Sequence, residues 1–320
     1  MFKMSTPAII ATAALALLVA VFFGFTYFTY STAFKRKNKQ INLQDDLGID
    51  VKFDDKISNM IKDLAATEYE EVSITSHDGL RLVGRYYHVK DGAPIELFCH
   101  GYRSSPVHDF SGGAKAVMEH GSNALLIYQR SHGKSEGKTI TFGAKESLDV
   151  LSWINYLIER FGADTDIILC GISMGAATVL IASALELPKN VKCIVADCPY
   201  SSAKDILMLT AKRMGFPPKL AYPFIRLGAR IFGGFDPEDA DVARAVRAAK
   251  RPILLIHGEA DSFVPKYMSD KIYGDRGGEM YYYTFPDADH GLSFIADTER
   301  YKRIRLEFTE KYIIAENSES

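Results

Sequence analysis

Two kinds of apolar patterning divide this chain. From Met4 to Phe34 no residue is charged, a run long enough for the roughly 20 apolar residues that a membrane-spanning helix needs. Beyond Tyr69 the apolar residues come in short blocks instead. "YEEVSITSHDGLRLVGRYYHV" alternates and reverses at His77-Asp78-Gly79, which predicts a β-hairpin. "IELFC", "NALLIY", "DIILCG", "VKCIVADC", "PILLIHG" and "MYYYTF" are continuous rather than alternating, as strands buried on both faces of a parallel sheet must be. Between them lie helix-length segments such as Lys145 to Phe161, where Leu151, Ile154, Leu157 and Ile158 recur at helical spacing. Strands alternating with helices predict a mostly parallel, doubly wound α/β sheet of eight strands, the hairpin in front.

The same patterning sets an organisation along the chain: a transmembrane anchor over 1–34, a polar juxtamembrane connector over 35–66, an α/β domain over 67–314 and a short polar tail over 315–320. A short helix is expected around Ile57 to Leu64. Within the α/β domain, 201–250 is an insertion between the sixth and seventh strands, with Met208, Met214, Phe216, Tyr222, Phe224, Ile225, Ile231 and Phe232 among basic residues. Helical spacing broken at Pro217-Pro218 and Gly233-Gly234 predicts a small helical lid. Most of its aromatics are expected to pack onto the core, with enough left over to line an apolar acyl pocket. Lys219 and Arg226 are candidates to touch an anionic head group, or else are simply solvated.

The rings Phe22, Phe23, Phe25, Tyr27, Phe28 and Tyr30 cluster toward one end of the apolar run, where they suit a headgroup zone. Lys35, Arg36, Lys37 and Lys39 follow at once. Against Lys3 at the other end, this charge balance favours the main domain staying on the cytoplasmic side. A cleaved secretory signal is the competing reading, with Lys3 as its basic start and Ser31-Thr32-Ala33 as a cleavage site. The apolar run exceeds the usual signal core of about 7 to 15 residues, and the cations lie on the wrong side of it. Cysteine usage agrees with a reducing compartment: Cys99, Cys170 and Cys193 sit in apolar strand-like runs, and with Cys198 they form neither a metal motif nor a disulfide ladder.

Composition narrows the partners. The 320 residues carry a net charge of −2 with signs interspersed, so there is no basic field to attract nucleic acid. "GKSEGKT" at 133–139 imitates a phosphate-binding loop but is one residue short of its spacing. His77, His88, His108, His120, His132 and His257 lack metal-ligand spacing. No cofactor and no metal are expected.

Chemistry concentrates at "ILCGISMGAATVL", residues 168–180. Between a strand and a helix, Gly171-x-Ser173-x-Gly175 makes a strained turn that lifts the serine hydroxyl clear of the sheet, and glycines at the flanks remove side chains that would clash. A serine hydroxyl needs an imidazole to take its proton and a carboxylate to orient that imidazole. "LLIHGEADSFVP" offers Asp261 in a loop beyond a strand, and "YTFPDADHGLSF" offers His290 beyond the next. Asp197 is an alternative acid; Asp287 and Asp289 are expected to be turn formers. The Met174 N–H, following the nucleophile, is the first candidate to stabilise an oxyanion.

With "HGYRSS", "RSHGKSEG", "GISMG", "HGEADSFVP" and "DADHG" in this order, the chain resembles the α/β-hydrolases over about Tyr69 to Tyr312 and is similar to their lysophospholipase-like and serine-aminopeptidase-like branch. The resemblance implies the chain order Ser173, Asp261, His290. It also implies that His100-Gly101 precedes the second oxyanion donor, the Tyr102 N–H; on geometric grounds His100 itself is expected to be a structural residue bonding backbone in that loop. The chain departs from similar enzymes at Tyr128-Gln129-Arg130-Ser131-His132-Gly133, where an acidic residue and Arg-Gly-His-Gly are usual. That departure leaves the triad standing and bears on substrate preference.

The expectation is a membrane-anchored serine hydrolase that cleaves a carboxylic ester or thioester of an acyl or lipid-like substrate. The alternatives are an aminopeptidase or amidase, for which Glu238, Asp239 and Asp241 could hold a substrate ammonium, and a noncatalytic binding protein of the same fold. Because the triad lies beyond the connector, a chain starting near Glu68 is expected to be soluble and to hydrolyse a short ester about as well as the whole protein.

Overall fold

The computed structural model describes residues 5–37 and 55–317, with side chains as far as residue 313; Lys3, Met4, Lys39, most of the connector and the end of the polar tail lie outside them. Eight strands form one sheet in the order β1-β2-β4-β3-β5-β6-β7-β8. β1 (Glu70–Thr75) and β2 (Arg81–Tyr87) are the predicted hairpin, and β2 also runs antiparallel to β4 (Asn123–Tyr128). β3 (Ile95–Cys99), β5 (Ile167–Ile172), β6 (Val191–Asp197), β7 (Ile253–Gly258) and β8 (Met280–Phe285) are parallel to their neighbours. This is the mostly parallel eight-stranded sheet of the α/β-hydrolase fold.

Alternation along each strand feeds two cores. Leu97, Cys99, Leu125 and Ile127 point into one, packed against the helices Glu146–Phe161 and Met174–Ala182. Phe98, Ala124 and Leu126 point into the other, packed against Pro106–Glu119 and Thr298–Asn317. The helix expected in the connector runs from Asp55 to Ala66 and buries Ile57, Ile61 and Leu64 in this second core. It is a packed element rather than a spacer, because its three apolar side chains share one helical face.

α1 (Thr6–Ala33) is long and apolar enough to cross a membrane. Its two ends differ. From Thr6 to Gly24 it is exposed almost throughout, whereas Thr26, Thr29, Tyr30 and then Phe34 are buried. Tyr30 and Phe34 belong to the first core. After the helix the chain pairs with the loop beyond β4: Lys35 bridges Thr139, the Ile140 N–H donates to the Phe34 carbonyl at 2.7 Å and the Arg36 N–H to the Lys138 carbonyl at 2.9 Å. The Arg36 guanidinium donates to the Gly133 and Ser135 carbonyls. The segment that imitates a phosphate loop is thus occupied by the chain's own arginine.

The insertion forms two main helices, Ala203–Arg213 and Pro218–Gly228, the second continuing through a π-turn to Gly233. α1 crosses the second of these at Gly228, where a Cβ would meet the Thr26 carbonyl at 2.7 Å. Of the insertion's large apolar residues, Tyr222 and Ile225 are buried, while Met214, Phe216, Ile231 and Phe232 stay exposed. Arg226 pairs with Asp236 at 2.8 Å and with Glu238 at 3.1 Å instead of presenting its charge outward; Lys219 is exposed.

Candidate active site

Ser173 ends β5 and opens the helix Met174–Ala182, with φ 54° and ψ −117°. A non-glycine residue rarely adopts such a backbone, and here the turn around it is packed too closely to relax. A Cβ on Gly175 would collide with the Cys99 carbonyl, and one on Gly171 with the Gly175 carbonyl. Both glycines are therefore required by backbone-to-backbone contact.

Ser173 Oγ lies 2.9 Å from His290 Nε2, and His290 Nδ1 lies 2.7 Å from Asp261 Oδ2. The other Asp261 oxygen accepts the Phe263 and Val264 N–H groups at 2.9 and 2.7 Å. Burial acts to raise the Asp261 pKa, but hydrogen bonds from His257 and His290 outweigh it and hold the carboxyl well below the usual range. His257 is fully buried, 3.3 Å from Asp261 through Nε2, and is itself seated by Val264 and Ser269. Asp289 accepts from the N–H groups of Ser262 and His290, tying the acid loop to the histidine loop. The sequence reading had no role for His257; its one signal was its place four residues before Asp261.

Asp197, the alternative acid, is buried at the end of β6, takes a hydrogen bond from Ser293 Oγ at 3.1 Å, and has its pKa raised by that burial. No hydrogen bond joins it to His290 among the described residues. His100 is fully buried, its Nε2 accepting the Gln129 N–H at 3.1 Å, so it organises the loop beyond β3.

In that loop the Gly101 N–H is taken by Asp109 at 2.6 Å, which leaves the Tyr102 N–H with no protein acceptor among the described residues. The Met174 N–H is the first of its helix and has no intrahelical partner. Met174 follows Ser173 in the chain, and Tyr102 lines both cavities that Ser173 lines. The side chains of the same loop reach α1: Tyr102 Oη donates to the Ala33 carbonyl at 2.7 Å and the Arg103 guanidinium to the Thr32 carbonyl at 2.8 Å. Helix ends leave such carbonyls unpaired, so the loop caps α1. Burial pushes the Tyr102 hydroxyl up to about 12, keeping it a neutral donor.

The departure at 130–133 also has a structural account. Arg130 pairs with Asp149 at 2.6 Å and Asp78 at 2.9 Å, and His132 Nε2 accepts the Arg103 N–H at 3.0 Å. Burial lowers the His132 pKa to about 3, which keeps that nitrogen free to accept. Two groupings place metal-ligating atoms close together, Cys198-Asp261-His290 and His77-Asp78-Asp149. In the first, burial holds the Cys198 thiol well above its usual value; in the second, the carboxylates are committed to Arg130.

Ser173 is shared by two cavities. One, of about 290 Å³, is apolar and runs between α1 and the insertion helices; among the described residues Arg103 is the one charged residue lining it. The other, of about 320 Å³, lies toward Ser104, His108 and Asp109 beneath the helix Asp55–Ala66.

Among known proteins, an esterase from Pyrococcus furiosus, Pf2001, is similar in structure with a TM-score of 0.61 and 25% identity, covering 78% of this chain and 95% of that one. An uncharacterized protein of Bacillus subtilis, YqkD, is 23% identical over 225 residues, 69% of this chain and 73% of that protein. The thiohydrolase aneE of Aspergillus aculeatus is 29% identical over 147 residues, 45% of this chain and 46% of its own length. The model of the prolyl oligopeptidase family matches residues 139–315. That match takes in more than half of the chain, including the strands and loops that carry Ser173, Asp261 and His290, and on it the protein belongs to the prolyl oligopeptidase family, built on the α/β-hydrolase fold.

Proposed function

We propose that the protein is a membrane-anchored serine hydrolase that cleaves the ester or thioester of an acyl-bearing, lipid-like substrate. The observation that carries this reading is the continuous relay from Asp261 through His290 to a serine held on a strained turn, beside an apolar cavity.

Ser173 Oγ attacks the carbonyl carbon as His290 Nε2 takes its proton, and the carbonyl electrons move onto oxygen. The Met174 and Tyr102 N–H groups stabilise that oxyanion, usually the largest single contribution to such catalysis. Collapse reforms the carbonyl and expels the alcohol or thiol, which leaves with the proton from His290. Water, deprotonated by the same nitrogen, then attacks the acyl-enzyme; the acid departs and Ser173 recovers its proton. Asp261 keeps its charge throughout and fixes the imidazole.

The family's name favours a second reading, hydrolysis of peptides. An aminopeptidase needs a carboxylate for the substrate ammonium; among the described residues the apolar cavity has none in its lining, and Asp109 and Asp197 in the other cavity are taken by the Gly101 N–H and Ser293. Glu238 is paired with Arg226, and Asp241 caps the helix Val242–Ala245. The esterase Pf2001 and the thiohydrolase aneE also lean toward acyl esters. The free, buried cysteines and the cations after α1 support a catalytic domain facing the cytoplasm.

The test is labelling with a fluorophosphonate and turnover of p-nitrophenyl esters beside aminoacyl nitroanilides. Wild type should label and prefer esters, and Ser173→Ala should lose labelling and lower kcat by about 10⁴-fold or more. Unimpaired labelling of the variant would remove Ser173 as the nucleophile, and dominant nitroanilide turnover would favour the peptidase.

A further inference from the structure

The cavity of about 290 Å³ is not enclosed by the α/β domain alone: Phe25, Phe28, Thr29, Thr32 and Ala33 of α1 line it together with Ser173. We propose that these last turns of α1 are a wall of the acyl-binding site, and that the acyl chain of a substrate enters it sideways from the bilayer that α1 crosses. The inference rests on the serine-hydrolase reading above and adds to it the residues that hold the chain and the direction from which it comes.

Burial separates the floor of the cavity from its mouth. Ser173, Tyr200 and Leu207 are buried, whereas Phe28, Met214 and Phe263 keep 48%, 50% and 45% of their surface exposed. The mouth therefore lies between α1, the insertion helices and the loop beyond β7, and its rim is apolar. Around it the rings of α1 meet those of the insertion, Phe22 and Phe25 against Phe224 at 5.4 and 5.1 Å, Tyr27 against Phe232 at 5.2 Å. Leu220 and Ile231 extend the exposed apolar surface. A patch of this kind facing water is unfavourable and marks a contact with another apolar phase.

The geometry of α1 identifies that phase. Thr6 to Gly24 is exposed almost throughout and measures about 28 Å at 1.5 Å per residue, close to the roughly 30 Å thickness of bilayer hydrocarbon. With that stretch in lipid, Phe25 lies at the edge of the membrane core and Phe28 about one turn beyond it, which puts the rim at the same depth. Among the described residues the lining holds one charged side chain, Arg103, whose guanidinium donates to the Thr32 and Lys35 carbonyls. Arg103 apart, the slot is lined by uncharged, mostly apolar side chains and is continuous with the membrane surface, suited to a hydrocarbon chain whose ester group sits at headgroup depth.

Full-length protein in lipid nanodiscs tests this with p-nitrophenyl dodecanoate and p-nitrophenyl acetate. Thr32→Trp fills the slot from the α1 side while leaving the Thr32 carbonyl in place; Leu17→Trp changes the bilayer-facing stretch. The dodecanoate-to-acetate ratio of kcat/KM should fall at least about tenfold in Thr32→Trp and hold in Leu17→Trp. In wild type, an alkyl fluorophosphonate with a diazirine along its chain, once bound to Ser173 and irradiated, should cross-link to the peptide spanning residues 25–33. An unchanged ratio in Thr32→Trp, or cross-links confined to the insertion helices and the sheet, would overturn the proposal. Failure of wild type to take up the fluorophosphonate at Ser173 would instead overturn the serine-hydrolase reading beneath it.

Discussion

Gly175 shows how much of the site is local. Its missing side chain admits the Cys99 carbonyl, and the reason is contained in five residues between a strand and a helix, so pattern alone reveals it. Asp261 and His290 were legible for the same reason, each in a short loop after an apolar run. His257 and Asp289 were not, because what they do depends on which loops fold against each other. His132 is intermediate: its place in an atypical loop is visible in sequence, its neutrality is not. With a folded pKa near 3 against about 6.5 unfolded, the unfolded chain takes up a proton on this residue first as pH falls. Its contribution to stability is therefore complete above about pH 6.5 and is lost progressively toward pH 3. In urea titrations, the stability difference between wild type and His132→Asn should narrow by about 1.4 kcal/mol per pH unit across that window, the two proteins sharing every other titrating group.

At the scale of elements, the strands were read correctly because a parallel sheet covered on both faces leaves a continuous apolar run that little else imitates. The lower end of α1 misled for a related reason. Tyr27, Phe28 and Tyr30 suit a headgroup belt, yet Tyr30 is buried in the protein and Tyr27 packs on Phe232. Bilayer and protein core make the same demand on a side chain, so hydropathy cannot divide a helix that leaves one for the other. Phe34 is the clearest case: it is fully buried, with ring centroids 5.6 Å from Phe142 and 5.2 Å from Phe235, and Phe142 in turn lies 5.2 Å from Tyr102. Phe34→Ala should cost about 3 to 5 kcal/mol, read as a lowered thermal midpoint in detergent, and should weaken ester turnover through the loop that bears Tyr102.

For the whole molecule, the expectation that a chain starting near Glu68 would behave like the full enzyme conflicts with the structure. Such a chain lacks Tyr30 and Phe34 from the first core, Ile57, Ile61 and Leu64 from the second, and the carbonyls that Tyr102 and Arg103 cap. The expected autonomy of the α/β domain came from counting the three proposed catalytic residues, all of which lie downstream, while packing contacts of the same domain reach back across the connector. Cleavage after Ala33 would likewise remove the α1 residues that line the cavity.

The change from exposed to buried within α1 means that this helix has a seam, close to Gly24, between a portion that needs only to be apolar and a portion that must keep its identity. The first should be interchangeable, provided it offers a ring to Phe224 as Phe22 does, and the second should not. An unrelated single-span helix joined ahead of Phe25 should yield a chimera with native turnover of p-nitrophenyl esters. The same helix joined ahead of Phe34 should yield a membrane-inserted protein with the triad intact in sequence and most of its activity gone. Interchangeability of that kind would let one catalytic unit be assigned to membranes of different thickness by exchange of its first two dozen residues, with no change to what it hydrolyses.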